Sequence, residues 1–178
     1  MRYLIKKKIG VILSENNIND NSFTNINGPC CMQVPRWIKN PLGKYYLYFS
    51  DHNGKEIKLA VSNNIEGPWK MHVGNVLDLE KFVEAYDHIA SPEIFIDDKE
   101  KSIRLYFHSR SKSRGREQWT FAAKSKNGIN FVKSCDFPLA PFYLRIFKTN
   151  NMFYENNHSF IIQLTILTIS NTLIIPSE

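Results

Sequence analysis

The chain has 178 residues, 43% of them hydrophobic and 13% aromatic, which is enough to bury one substantial core and excludes a disordered or linker role. Its 23 Lys and Arg against 17 Asp and Glu leave a net charge of +6. The basic residues are scattered apart from Lys6-Lys7-Lys8 and the stretch 110–116, which reads as a solvated hairpin loop, so the basic stripe with stacking aromatics that nucleic acid requires is missing and no nucleic-acid partner is expected.

In chain order, residues 1–26 read as an N-terminal extension. The apolar run Ile9-Gly10-Val11-Ile12-Leu13 after the lysines is shorter than a signal-peptide core of about 7–15 residues. The first strand is expected over 30–38, ended by the turn formers Asn40-Pro41-Leu42-Gly43. Cys30 and Cys31 fall in it. With Cys135 they make an odd set lacking a Cys-x-x-Cys or His-rich cluster, which points to a reducing, cytoplasmic setting and to no metal site.

Next comes Lys44-Tyr45-Tyr46-Leu47-Tyr48-Phe49, a polar turn, Ile57-Lys58-Leu59-Ala60-Val61-Ser62, and an edge marked by Gly67-Pro68-Trp69. The order then repeats. A short apolar run over 89–96 precedes Ser102-Ile103-Arg104-Leu105-Tyr106-Phe107, a longer polar loop, Trp119-Thr120-Phe121-Ala122-Ala123-Lys124-Ser125, and an edge ending in Phe131. A third unit opens at Phe142-Tyr143-Leu144-Arg145-Ile146-Phe147, with Met152-Phe153-Tyr154 following, and fades after Asn151.

Four-stranded antiparallel units recurring at roughly 40–60 residues are the pattern of a β-propeller, in which each blade packs its faces on its neighbours. The fold expected is all-β: about two and a half blades over 27–155, followed by a degenerate or truncated segment over 156–178. An arc of this kind exposes blade faces and edges, so self-association through them is expected. The apolar stretch 160–175 is interrupted by polar residues and is too short for the ~20 residues of a membrane span, so no membrane partner is expected.

The segments Gly43-Lys44-Tyr45-Tyr46-Leu47-Tyr48-Phe49-Ser50, Gly67-Pro68-Trp69 and Ser91-Pro92-Glu93-Ile94 resemble landmarks of the family 43 glycoside hydrolases, a superfamily of five-bladed propellers. The resemblance covers residues 27–147. It implies carboxyl groups brought to the propeller axis by the innermost strands, one as general acid and one as base or nucleophile, with a third carboxylate tuning the acid. It places Glu93 where that tuning Asp is usual. No carboxylate stands at the base position in the first unit, and Arg145 stands where the acidic Glu would be sought. The family's calcium-holding histidine has only His88 or His108 as a match, and neither a metal nor a cofactor is expected.

The candidate catalytic residues are Glu93, Asp87 and His88, because Asp87-His88-Ile89-Ala90-Ser91-Pro92-Glu93 gathers two carboxylates and an imidazole at the start of an innermost strand. An Asp-His turn capping the strand, with Glu93 paired to an arginine, is the structural alternative. Arg36, Asp51, His108 and Arg145 are the candidate substrate contacts. Arg36 and Arg145, read as lying on innermost strands, need an anionic partner, either Glu93 or an anionic substrate group. Asp51 and His52 read more readily as a solvent hairpin, since Asn53-Gly54 follows directly. The function expected is a glycosidase acting on furanosides or related sugars, with a carbohydrate ligand; the alternatives are a non-catalytic propeller module that binds glycan or protein, and an inactive gene fragment.

Overall fold

The computed structural model describes residues 10–14, 25–141 and 144, together with the backbone of 145–149 and 152–156. Among these the fold is all-β apart from one turn of 3-10 helix, Leu79–Lys81. The first sheet is built from β1 (Ile26–Gln33), β2 (Tyr45–Asp51), β3 (Glu56–Ser62) and β4 (Lys70–Met71), antiparallel and in that spatial order, with β5 (Leu77–Asp78) also paired to β3. The second repeats the plan with β6 (Ala90–Asp97), β7 (Ser102–Arg110) and β8 (Gln118–Ser125), extended by β9 (Val132–Lys133) and β10 (Ala140–Pro141) at the far side. A hairpin of β11 (Arg145–Thr149) and β12 (Met152–Asn156) begins a third unit.

Alternation along β2 and β7 explains why both sheets are buried on two sides. Tyr46, Tyr48, Ile57 and Leu59 of the first blade face Leu105, Phe107, Phe121 and Ala123 of the second, and together they make the largest core. Leu47, Phe49 and Ala60 point the other way, where Leu13 covers them, and Tyr106 and Ala122 point from the second blade toward Leu144 and the third unit. Tyr48 Oη donates to the carbonyl of Gly128 at 2.7 Å across the blade interface, and at the far end of the strands Trp37 Nε1 donates to Asp98.

The innermost strands β1 and β6 each carry a bulge near their start, between Asn27 and Cys30 and between Ala90 and Glu93. The two bulges are equivalent, since Cys30 lies opposite Tyr48 as Glu93 lies opposite Tyr106, and each follows a proline. Gly28 and Ser91 hold the matching positive φ values of 52° and 51°. A Cβ on Gly28 would lie 2.5 Å from Ser91 Cα, so only glycine allows the two strands to meet here.

The first strand therefore runs over 26–33 rather than 30–38, because the Asn-Gly-Pro sequence that reads as a turn is a bulge within the ladder. Arg36 consequently lies on the exposed turn beyond β1 and not on an innermost strand. Phe142 and Tyr143 lie outside the described residues, as does the segment 157–178. Arg145 opens β11, and its side chain lies outside what is described. No helix among the described residues is long and apolar enough to cross a membrane.

Candidate functional site

The start of β6 and the hairpin joining β7 to β8 come together at one end of the second blade. Arg110 closes β7 opposite Gln118 at the start of β8, and the residues preceding β6 lie against this pair. Tyr86 N donates to the carbonyl of Arg110, which pins the approach to the strand.

Asp87 is held from both sides. One carboxylate oxygen accepts from Arg110, and the other lies 2.7 Å from His88 Nδ1. The Arg110 guanidinium, helped by His88, keeps the Asp87 carboxyl below the usual carboxylate range. An ionised Asp87 fixes the His88 proton on Nδ1, leaving Nε2 as the acceptor for Gln118 Nε2 at 3.2 Å. Gln118 Oε1 is buried with no hydrogen-bond partner among the described residues.

The strand register puts Glu93 on the same face. Glu93 pairs with Tyr106, and successive steps of two residues along β7 lead from Tyr106 to His108 and on to Arg110. This face of the sheet looks toward the third unit. Glu93 is half-buried and engaged in a polar or electrostatic interaction. The equivalent position in the first blade is Cys30, which carries no charge to partner it.

The remaining candidates are placed differently. His108 is only 2% exposed, paired with Ala90 and Thr120, so it lies beneath the start of the strand and not on its rim. Asp51 is 8% exposed, and its carboxylate accepts from the backbone N–H groups of Asn25 and Asn53. It serves as the cap of the β2–β3 turn, which accounts for its charge without a substrate. His52 is exposed at that turn, with Nδ1 2.8 Å from Asn27 Nδ2. Arg36 sits beyond the opposite end of β1 and makes no ion pair among the described residues, so it does not neutralise Glu93. No group of three or more His, Cys, Asp or Glu side chains able to hold a metal is present among the described residues.

Sequence reasoning missed Arg110 and Gln118, the two residues that orient Asp87 and His88. The available signal was register: counting outward from Tyr106 and from the Ala-x-Ser end of β8 brings them opposite each other.

No family model matches the chain. An uncharacterised protein of Acanthamoeba polyphaga mimivirus is 34% identical over 146 residues, which cover 73% of this chain and 41% of that protein. Among solved structures, a family 43 β-xylosidase/α-arabinofuranosidase from a compost microbial metagenome matches with a TM-score of 0.58 and 19% identity, over 74% of this chain and 42% of the other. The exo-β-1,3-galactanase of Phanerochaete chrysosporium, in complex with β-1,3-galactotriose, matches with a TM-score of 0.55 and 16% identity, over 78% of this chain and 34% of that enzyme. The fold is that of the family 43 glycoside hydrolase propellers, and the chain spans less than half the length of these relatives.

Proposed function

We propose that this chain forms the carbohydrate-handling blades of a glycoside-hydrolase-type propeller, with the sugar bound at the end of the second blade where β6 begins. The observation that carries the reading is the Arg110–Asp87–His88–Gln118 relay, an imidazole oriented by an ionised carboxylate at the end of the blade whose β6 carries Glu93. His88 exchanges a proton with, or hydrogen-bonds, a sugar hydroxyl, and Glu93 supplies a carboxyl group from β6. The structures that share this fold include enzymes complexed with xylotriose and with β-1,3-galactotriose, which supports a saccharide as ligand.

One observation favours a second reading, a propeller that binds glycan without cleaving it. Glycoside hydrolysis needs two carboxyl groups about 5–10 Å apart across the scissile bond, and the position equivalent to Glu93 in the first blade is Cys30. Hydrolysis of a panel of aryl furanosides and pyranosides, run beside Glu93→Gln with both proteins shown to be folded, separates the readings. Turnover in the parent that falls by about 100-fold or more in the variant, the scale expected for loss of an acid–base group, places Glu93 in a working glycosidase site. A folded parent that binds sugars but turns none over moves the assignment to the binding module.

A further inference from the structure

The hairpin loop between β7 and β8 carries Arg110, Lys112, Arg114 and Arg116 within seven residues, at the same end of the blade as His88. As a surface feature it would need no explanation, but its charges are arranged unequally. Arg110 is committed to Asp87, and Lys112 Nζ donates to the carbonyl of Val83. The Glu84 carboxylate accepts from the backbone N–H of Ser113. Arg114 and Arg116 make no ion pair among the described residues.

Both of these guanidiniums are instead stacked on aromatic rings. Arg114 lies 5.0 Å from the centre of the Trp119 ring and Arg116 lies 4.5 Å from that of Tyr86, a ring that Arg110 also approaches at 5.5 Å. Stacking fixes the plane of a guanidinium while leaving its N–H edge open, the arrangement that recognises a carboxylate or sulfate through two parallel hydrogen bonds. The ring beneath Arg116 belongs to Tyr86, which directly precedes Asp87 and whose N–H donates to the carbonyl of Arg110, so this guanidinium stands beside the Asp87–His88 pair.

We infer that the 110–118 hairpin is an anion-recognition rim, and that the saccharide held at His88 carries negative charge as a carboxylate or sulfate ester, with Arg114 and Arg116 as its contacts. This rests on the carbohydrate reading above and narrows the substrate class.

The test is calorimetric titration of the full chain with trigalacturonate, a sulfated galactose trisaccharide, neutral xylotriose and a thymidine oligonucleotide of matching charge, at low and at physiological salt. The inference expects at least one acidic trisaccharide to bind about tenfold or more tightly than xylotriose, the scale of one charge-assisted bidentate contact. The Arg114→Ala/Arg116→Ala double variant should abolish that preference, and the Arg114→Lys/Arg116→Lys variant, which keeps charge but not the planar fork, should restore only part of it. Which acidic sugar binds distinguishes carboxylate from sulfate. Equal affinity for acidic and neutral sugars, unchanged in the variants, overturns the rim while leaving the carbohydrate reading intact. Failure of every saccharide overturns both, and tighter binding of the oligonucleotide with the same arginine dependence replaces the inference with a nucleic-acid surface.

Discussion

At the scale of single residues, the decisive contact is the one between Asp87 and Arg110. Because the guanidinium favours the ionised carboxylate, Asp87 binds its proton less readily in the folded chain than in the unfolded one. The pair therefore contributes stability above the ordinary carboxylate range, and that contribution is lost as the pH falls through the lowered folded value. In Asp87→Asn the decline of the urea midpoint between about pH 5 and pH 2 should be shallower than in the parent, while an unchanged slope would show that the pair is not formed in solution. Asp87 and His88 were legible in the sequence because they stand side by side just before a strand. Arg110 was legible only as a loop charge, since its partner is set by strand pairing and not by spacing. Asp51 was readable both as a turn residue and as a substrate contact, and the bonds to Asn25 and Asn53 resolve it as a turn cap.

At the scale of elements, the two blades are joined by their shared apolar face and by a few polar bonds at fixed points. Tyr48 is fully buried, and its hydroxyl reaches across to the carbonyl of Gly128 on the second blade. Tyr48→Phe keeps the ring packing on Phe131 but leaves the buried carbonyl unmet, a loss of about 1–2 kcal/mol. Chemical denaturation should register it as a lowered midpoint with an unchanged slope, and an unaltered midpoint would mean that water replaces the hydroxyl. The repeat was readable because strands buried on both faces spell dense runs such as Tyr-Tyr-Leu-Tyr-Phe, which composition alone exposes. The bulges were not readable. Asn27-Gly28-Pro29 has the composition of a turn, and only the close approach to Ser91 shows that it belongs inside a strand. Misplacing that strand also carried Arg36 onto it.

At the scale of the whole molecule, the two complete blades share one architecture, yet their chemistry is concentrated on the second. Its face toward the third unit carries Glu93, His108, Arg110 and Gln118 in register, with Asp87 and His88 set against its rim, whereas the first blade holds Cys30 and Ser50 at the positions of Glu93 and His108. Repetition specifies the scaffold, which is why the repeat alone pointed to the fold more fully than to the function. The most direct test is to titrate the isotope-labelled chain with trisaccharides, acidic and neutral, and follow its backbone amide resonances. The account predicts shifts concentrated at Tyr86, His88, Glu93 and Gln118; shifts centred instead on Arg36, Trp37 and Asp98 at the opposite end of the blades, or none with any saccharide, would contradict it.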